Sequence, residues 1–424
     1  PIVPENRVFE NCALAIDQQK IVGIYPQAEA LSKFNPDSVV DLDDHVLMPG
    51  LVNAHGHAAM SLLRGYADDQ PLEPWLEEHI WPVENRFLGE QFVADGTKLA
   101  MAEMIQTGTT CFADMYFFAD SAAEQVRACG MRSQIGFTVF DFPTADGKDA
   151  DDYIHKGLKL RDTFKDNDLI KIACAPHAPY TVGDETLRRI ATYANELDMA
   201  VHIHCHETAK EISDSLHLYS CRPMQRLDDL GILLPQTQLV HMTQIDKDDI
   251  RLIKDNNSHV VHCPESNLKL ASGFCPVAEL MDAGINVALG TDGAASNNDL
   301  DLFGELKTAA LLAKGVSGDA SALDAHAALR MATLNGARAL GWQDQIGSLE
   351  AGKSADIIAV EINSLSQKPL YNPASQLVYT NAGSQVTHSW VAGKALMKER
   401  ALLTLNEAEL IQSADHWRTQ IKPD

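Results

Sequence analysis

The stretch "VLMPGLVNAHGHAAMSLLRG" sets His55 and His57 on either side of a glycine, where an apolar, strand-like run gives way to a helix-like segment. Side chains alternate along a strand, so the two imidazoles share a face about 6–7 Å apart and can bridge one cation. Chance alone yields such a pair roughly 0.6 times in a chain with this much histidine, so other donors have to accompany it. They do. "MAVHIHCHE" carries His202, His204, His206 and Glu207, "LVHM" carries His241, "VVHC" carries His262, and "LGTDG" carries Asp292. Histidine and carboxylate donors without paired thiolates suit zinc, with iron as the alternative. Two histidines from the first stretch, one from "VHIHCHE" and Asp292 leave room for a water, whose pKa a divalent ion lowers to about 7. A carboxylate off the metal must then move protons, and Glu207 is placed for that.

Elements that bring these residues together can be read from the same sequence. The runs "VLMPGLVNAHGH", "TTCFADMYF", "MRSQIGFTVF", "LIKIACAPHAPY", "MAVHIHCHE", "TQLVHMTQ", "SHVVHCPES" and "INVALGTDG" have strand character. Helical patterns such as "FVADGTKLAMAEMIQTG", "DETLRRIATYANELD" and "CPVAELMDAG" separate them. Eight strands alternating with helices predict an α/β fold, a (β/α)8 TIM-like barrel, in which catalytic groups sit at the C-terminal strand ends. Every donor above falls at such an end. No glycine-rich dinucleotide fingerprint follows the first strand, which argues against an open doubly wound sheet. Short strands at both ends of the chain, "CALAIDQQKIVGIYPQ", "GSLEAGKSADIIAVE", "LVYTNAG" and "VTHSWVAGKALMKE", predict one small β-sandwich. The expected division is residues 1–47 for its first part, 48–342 for the barrel, and 343–424 for its second part and a C-terminal helix.

Length and composition narrow the function. The chain has 424 residues, 45% of them hydrophobic and 22% charged, as in a well-packed protein. Its net charge of −25 argues against nucleic acid or an anionic membrane as partner. No window approaches 18 consecutive apolar residues, so no membrane span is expected. The opening residues lack the basic start and apolar centre of a signal peptide, and the eight cysteines form no Cys-x-x-Cys. Both features predict a cytoplasmic protein with reduced thiols, in which Cys205 and Cys263 serve packing.

The chain resembles the amidohydrolase superfamily over nearly its whole length, from "KIVGI" to "SQLVYTNAGSQVTHSWVAG". The specific marks are "PGLVNAHGHAAMSLLRG", "HCHET", "ESNLKLASG" and "GTDGAASNN", and "PLEPWLEEHIWPVE" looks most like the deaminases of methylthioadenosine and S-adenosylhomocysteine. The resemblance implies His55, His57, His204 and Asp292 as metal ligands, His204 being selected over His202 and His206 by the family's His-x-x-Glu-Thr motif. It implies Glu207 as proton shuttle, His241 as the histidine that orients the attacking water, and Asp292 in proton transfer as well. Glu84 should accept hydrogen bonds from the ribose hydroxyls and His177 should contact the sugar, while His202, His206, His259 and His262 support or pack. Relatives with two metals bridge them with a lysine at the end of strand four. Here that strand starts at Lys171 and ends at His177, so one divalent ion per subunit is expected. The implied substrate is a purine nucleoside and the implied assembly a homo-oligomer; the loop "DFPTADGKDADDY", with five aspartates, Lys148 and no arginine to hold a carboxylate tail, puts methylthioadenosine before S-adenosylhomocysteine or adenosine. The rival readings are a deaminase or chlorohydrolase acting on guanine, cytosine or a triazine, and a catalytically dead barrel.

Overall fold

A computed structural model describes residues 6–422. Eight parallel strands lie side by side in chain order: β4 (Leu51–Asn53), β5 (Thr109–Tyr116), β6 (Arg132–Val139), β7 (Ile170–Pro176), β8 (Val201–Cys205), β9 (Thr237–His241), β10 (His259–His262) and β11 (Val287–Leu289). The sheet closes between its first and last members: Ala54 N–H donates to Leu289 O at 2.8 Å, and Asp292 N–H to His55 O at 3.1 Å. Asn53 pins the seam, its Oδ1 accepting from Thr291 N–H at 3.0 Å and its Nδ2 donating to Thr291 Oγ1 at 2.7 Å. Gly290 permits the approach, because a Cβ there would lie 2.8 Å from both Cβ and N of His55.

Strands such as β5 and β6 are buried along their whole length, polar residues included, which is why no alternation of apolar and polar residues marks them. Outside, Leu51, Ile135, Val201 and Leu239 pack against the helices. Inside, the side chains are smaller (Val52, Ala54, Cys111, Ala113, Val240, Val261, Ala288), and Trp342 belongs to the same cluster. Each large apolar side chain fully buried in this way contributes roughly 1.5–3 kcal/mol. Cys205 and Cys263 are likewise buried and unpaired.

Both chain ends build the second unit. β3 (His45–Pro49) joins β12 (Ile357–Glu361), β13 (Val386–Val391), β14 (Lys394–Lys398) and β15 (Ala401–Leu402) in an antiparallel sheet of order β15-β14-β13-β12-β3. The hairpin of β1 (Cys12–Asp17) and β2 (Lys20–Pro26) packs on it through Ile21, Leu349, Ala355 and Ile357. β3 runs past residue 47, Met48 and Pro49 still pairing with Ile358 and Ile357. The chain changes sheets at Gly50, where a Cβ would lie 2.0 Å from Thr110 Oγ1. The apolar run read as one first strand is therefore two, β3 and β4.

One expected strand is a helix. Within "LVYTNAG", Leu377 to Tyr379 end the helix Pro373–Tyr379, whose start is fixed by Asn372 accepting from the N–H groups of Ala374 and Ser375. An Asn cap followed by proline at the first helical position overrides the apolar run. Across the two units, buried Arg132 of β6 donates to Asp356 through Nε at 2.8 Å and Nη2 at 3.2 Å.

Candidate active site

The β4 strand ends at Asn53, and the next four residues cross the barrel mouth carrying His55 and His57. Their rings are 4.8 Å apart, closer than a continuous strand would hold them. Both Nε2 atoms converge on Oδ1 of Asp292, at 3.3 Å from His55 and 3.2 Å from His57. From β8, His204 brings its ring to 5.0 Å from His55 and 5.3 Å from His57. One ligand atom from each of His55, His57 and His204 lies within 4.8 Å of the others, and the same holds for His55, His241 and Asp292.

Each of the three imidazoles has its other nitrogen engaged. His57 Nδ1–H donates to Met115 O at 2.5 Å, His204 Nδ1–H to His177 O at 2.9 Å, and His55 Nδ1 pairs with His202 Nε2 at 2.7 Å. A carbonyl only accepts, so in the neutral ring Nε2 of His57 and of His204 carries a bare lone pair. His55 Nε2 is buried without a hydrogen-bond partner. Three lone pairs and a carboxylate facing one point fit a divalent cation with nitrogen and oxygen ligands.

Electrostatics agree with that fit. Burial opposes the charge on Asp292, yet the imidazoles of His55 and His57 that face it hold its pKa well below the usual carboxylate range. Ser266 Oγ–H donates to its Oδ2 at 2.6 Å, and Gly293 N–H to its Oδ1 at 2.8 Å. Burial also drives His204 well down, so it stays neutral. The backbone is left-handed at His241 (φ 78°) and Asp292 (φ 62°), strained positions of the kind that functional sites retain.

Beside this centre stand the two groups expected to handle protons. Glu207 is buried, which raises its pKa, and Ser272 Oγ–H donates to its Oε1 at 3.0 Å. Its Oε2 lies 3.6 Å from His241 Nε2, and His241 Nδ1 is held by Asn267 Oδ1 at 2.9 Å. The pocket above is apolar and lined by Trp75, Ile80, Trp81, Phe117, Phe140 and Leu270 among others. Glu84 and His177 line it too. Glu84 is buried and accepts from Tyr116 O–H at 2.5 Å; burial raises its pKa to about 7 against the lowering effects of Tyr116 and His57. His177 stacks on Phe140 at 4.8 Å, and burial takes its pKa down to about 3.

Seven of the eight expected site residues thus line one pocket, and His55, wholly buried, lies against Asp292 at its floor. His206 stays out of it, bonded through Nδ1 to Gln244 O and through Nε2 to Met224 N–H, and His259 starts β10 at the opposite end. Lys171 is also at that far end, donating to Gly341 O at 2.6 Å. Sequence reasoning missed Tyr116, Phe140 and the residues that aim the donors: Ser266, Asn267 and Ser272. The last three lie in "ESNLKLASG", whose polar residues between apolar ones were the available signal.

A profile of the amidohydrolase family matches residues 46–396. The chain belongs to the amidohydrolase family. Among similar amidohydrolases is a 5-methylthioadenosine/S-adenosylhomocysteine deaminase of Teredinibacter turnerae, 55% identical over 99% of this chain and 95% of the relative. A zinc-bound adenosine deaminase from Xanthomonas campestris superposes with a TM-score of 0.98 at 50% identity, covering 99% of this chain and 95% of that one. A zinc complex of atrazine chlorohydrolase from Arthrobacter aurescens reaches 0.90 at 24% identity, covering 98% and 97%, and shares the fold.

Proposed function

We propose that this amidohydrolase deaminates 6-aminopurine nucleosides hydrolytically, 5′-methylthioadenosine first, giving the inosine analogue and ammonia. One observation carries the reading: a pocket with three imidazole lone pairs and Asp292 at one end, Glu207 beside them, and the buried Glu84 carboxyl lining the same space. His55, His57, His204 and Asp292 would hold one zinc ion, which supplies a water of lowered pKa and polarises the bond being attacked. Glu207, its Oε1 held by Ser272, gives a proton from Oε2 to ring N1 and so breaks the aromaticity of the purine. His241 and Asp292 line the same space and hold the water in line with C6, and Asp292 passes a proton onward to the departing amine. The apolar rings and Ile80 keep bulk water out, which strengthens each of these contacts. Glu84 accepts from the two ribose hydroxyls, with Tyr116 fixing one of its oxygens, and His177 contacts the sugar.

The preference for methylthioadenosine follows from what surrounds the pocket. No lysine or arginine lines it among the described residues, and the exposed apolar rings of Trp81, Phe142 and Tyr180 lie nearby along the chain. A carboxylate tail finds no bidentate cation there. Arg64 is engaged by Glu103 and by Asn298 O, and Arg86 lies over the Phe87 ring, 4.8 Å from its centroid. The same proposal includes a homo-oligomer, from the resemblance, and a cytoplasmic location, with which the unpaired cysteines agree. No helix among the described residues is long and apolar enough to cross a membrane.

The test is ammonia release by zinc-loaded protein from methylthioadenosine, S-adenosylhomocysteine, adenosine, guanine, cytosine and a triazine. Methylthioadenosine should show the highest kcat/KM. Release from a free base or a triazine alone would overturn the nucleoside reading. A higher value for S-adenosylhomocysteine would overturn the account of the tail.

A further inference from the structure

A line of buried polar side chains leads from the metal centre down the barrel interior. His55 Nδ1 lies 2.7 Å from His202 Nε2, and His202 Nδ1 lies 2.5 Å from Gln238 Oε1. The Gln238 amide pairs with that of Gln134, Gln134 Nε2 donating to its Oε1 at 2.8 Å and its own Nε2 donating to Gln134 Oε1 at 3.2 Å. Gln238 Nε2 also donates to the backbone carbonyl of Ala339 at 2.8 Å. His55, His202, Gln134 and Gln238 are all almost wholly buried, so the polar atoms that face one another along this line have to match donor to acceptor.

Its direction is forced at one end. The Ala339 carbonyl accepts only, so the NH2 of Gln238 must face it and Oε1 must face His202. His202 then has to present Nδ1–H to that oxygen, which leaves its Nε2 bare. A bare Nε2 accepts only, so His55 must carry its proton on Nδ1 and leave Nε2 as a lone pair. That is the atom buried without a hydrogen-bond partner and facing Asp292. Reversing any link would bring two donors or two acceptors face to face in a site closed to water, at a cost of about 1–3 kcal/mol.

We infer that His202 and Gln238 are positioning residues that relay the Ala339 carbonyl to His55 and lock the one tautomer able to bind a metal through Nε2. His57 and His204 take the same instruction directly from backbone carbonyls, which mutation cannot remove. Only His55 takes it from side chains. A ligating histidine usually donates to a carboxylate, carbonyl or water, so an imidazole in that place needs its own tautomer set from further away. The pair of buried glutamines does that.

The inference rests on His55 being a ligand as proposed above, but its first test needs neither metal nor substrate. Long-range ¹H–¹⁵N spectra of metal-free protein labelled at histidine should show His55 and His202 each wholly protonated at Nδ1. Protonation of His55 at Nε2 in the unaltered chain would overturn the relay, whatever the enzyme deaminates. The second test is zinc release to a chelator, read beside thermal unfolding. His202→Phe and Gln238→Leu should release zinc about 10–100-fold faster, the usual cost of losing such a partner. Gln238→Glu should restore retention, since its carboxylic acid donates to Ala339 O and accepts from His202. His259→Phe, which alters another buried histidine at the far end of the barrel, is the control and should keep wild-type retention. Wild-type release from both His202→Phe and Gln238→Leu would refute the relay. So would equal loss in Gln238→Leu and Gln238→Glu, which would mean that packing rather than hydrogen-bond direction matters. If His202→Phe does not fold, the wild-type spectrum and the two Gln238 variants decide alone.

Discussion

Glu84 offers a test in which stability and catalysis should move in opposite directions. Its carboxyl is buried, and burial lifts its pKa from the ordinary 4.5 to about 7. Between those two values the folded protein holds a proton that the unfolded chain releases. The native state therefore binds more protons there, and its stability falls as pH rises through that window and levels off above about 7. At about 1.4 kcal/mol for each tenfold in the ionisation equilibrium, the fall is about 3 kcal/mol. Glu84→Gln keeps an oxygen for Tyr116 O–H but never ionises. The variant should match the parent in urea near pH 5 and exceed it by about 3 kcal/mol at pH 8.5. His57 already lowers the pKa of Glu84 and a bound cation lowers it further, so metal-free protein should show the effect in full. Catalysis should go the other way. Losing a charged partner of the ribose hydroxyls costs about 1–3 kcal/mol, or roughly 5- to 150-fold in kcat/KM for methylthioadenosine. Urea curves that stay parallel across this pH range would refute the buried charge. Unchanged kinetics on the nucleoside would make Glu84 a purely structural residue.

Other expectations follow from the same geometry. Glu207→Gln should retain zinc by elemental analysis yet lose at least about 10²-fold in turnover, the scale of a lost acid–base group; near-normal turnover would place the shuttle elsewhere. His204→Ala should lose zinc and activity together, because its Nε2 faces the centre and its Nδ1 is committed to His177 O. Zinc bound as tightly as in the parent would remove His204 from the ligand set. Asp356→Ala should cost about 3–5 kcal/mol in urea unfolding, since it strands a buried Arg132, while the pocket stays intact. A loss below about 1 kcal/mol would mean that water reaches the guanidinium.

Much of the barrel could be read from sequence because burial on both faces leaves continuous apolar runs, and the donors stand where those runs stop. Two features escaped that reasoning for local physical reasons. Gly50 divides one apolar run between two sheets, and hydropathy carries no mark of the steric contact with Thr110 that requires glycine. Asn372 and Pro373 make a helix of a segment that otherwise reads as strand. The groups that aim the donors escaped for a different reason. Ser266, Asn267 and Ser272 follow β10 in sequence, yet they bond Asp292, His241 and Glu207 from other strands, a relation that no periodicity carries.

The hardest choice lay within "VHIHC". His202 and His204 are two residues apart on one strand, so they share a face and period-two alternation cannot separate them. Depth in the barrel does. His204 stands level with the end of β7 and gives its Nδ1–H to the His177 carbonyl, which turns Nε2 toward His55 and His57. His202 stands one step lower, where its ring is stacked 5.0 Å from His55 and its two nitrogens are taken by His55 and Gln238. An imidazole whose Nδ1–H is donated and whose Nε2 lone pair already accepts has nothing left for a cation. The same strand thus supplies a residue with a free Nε2 and, directly beneath it, one that directs the proton on a neighbouring ring. What distinguishes them is the set of acceptors each depth offers, a backbone carbonyl at the rim and a side-chain amide below it, and those acceptors come from β7 and β9 rather than from β8 itself.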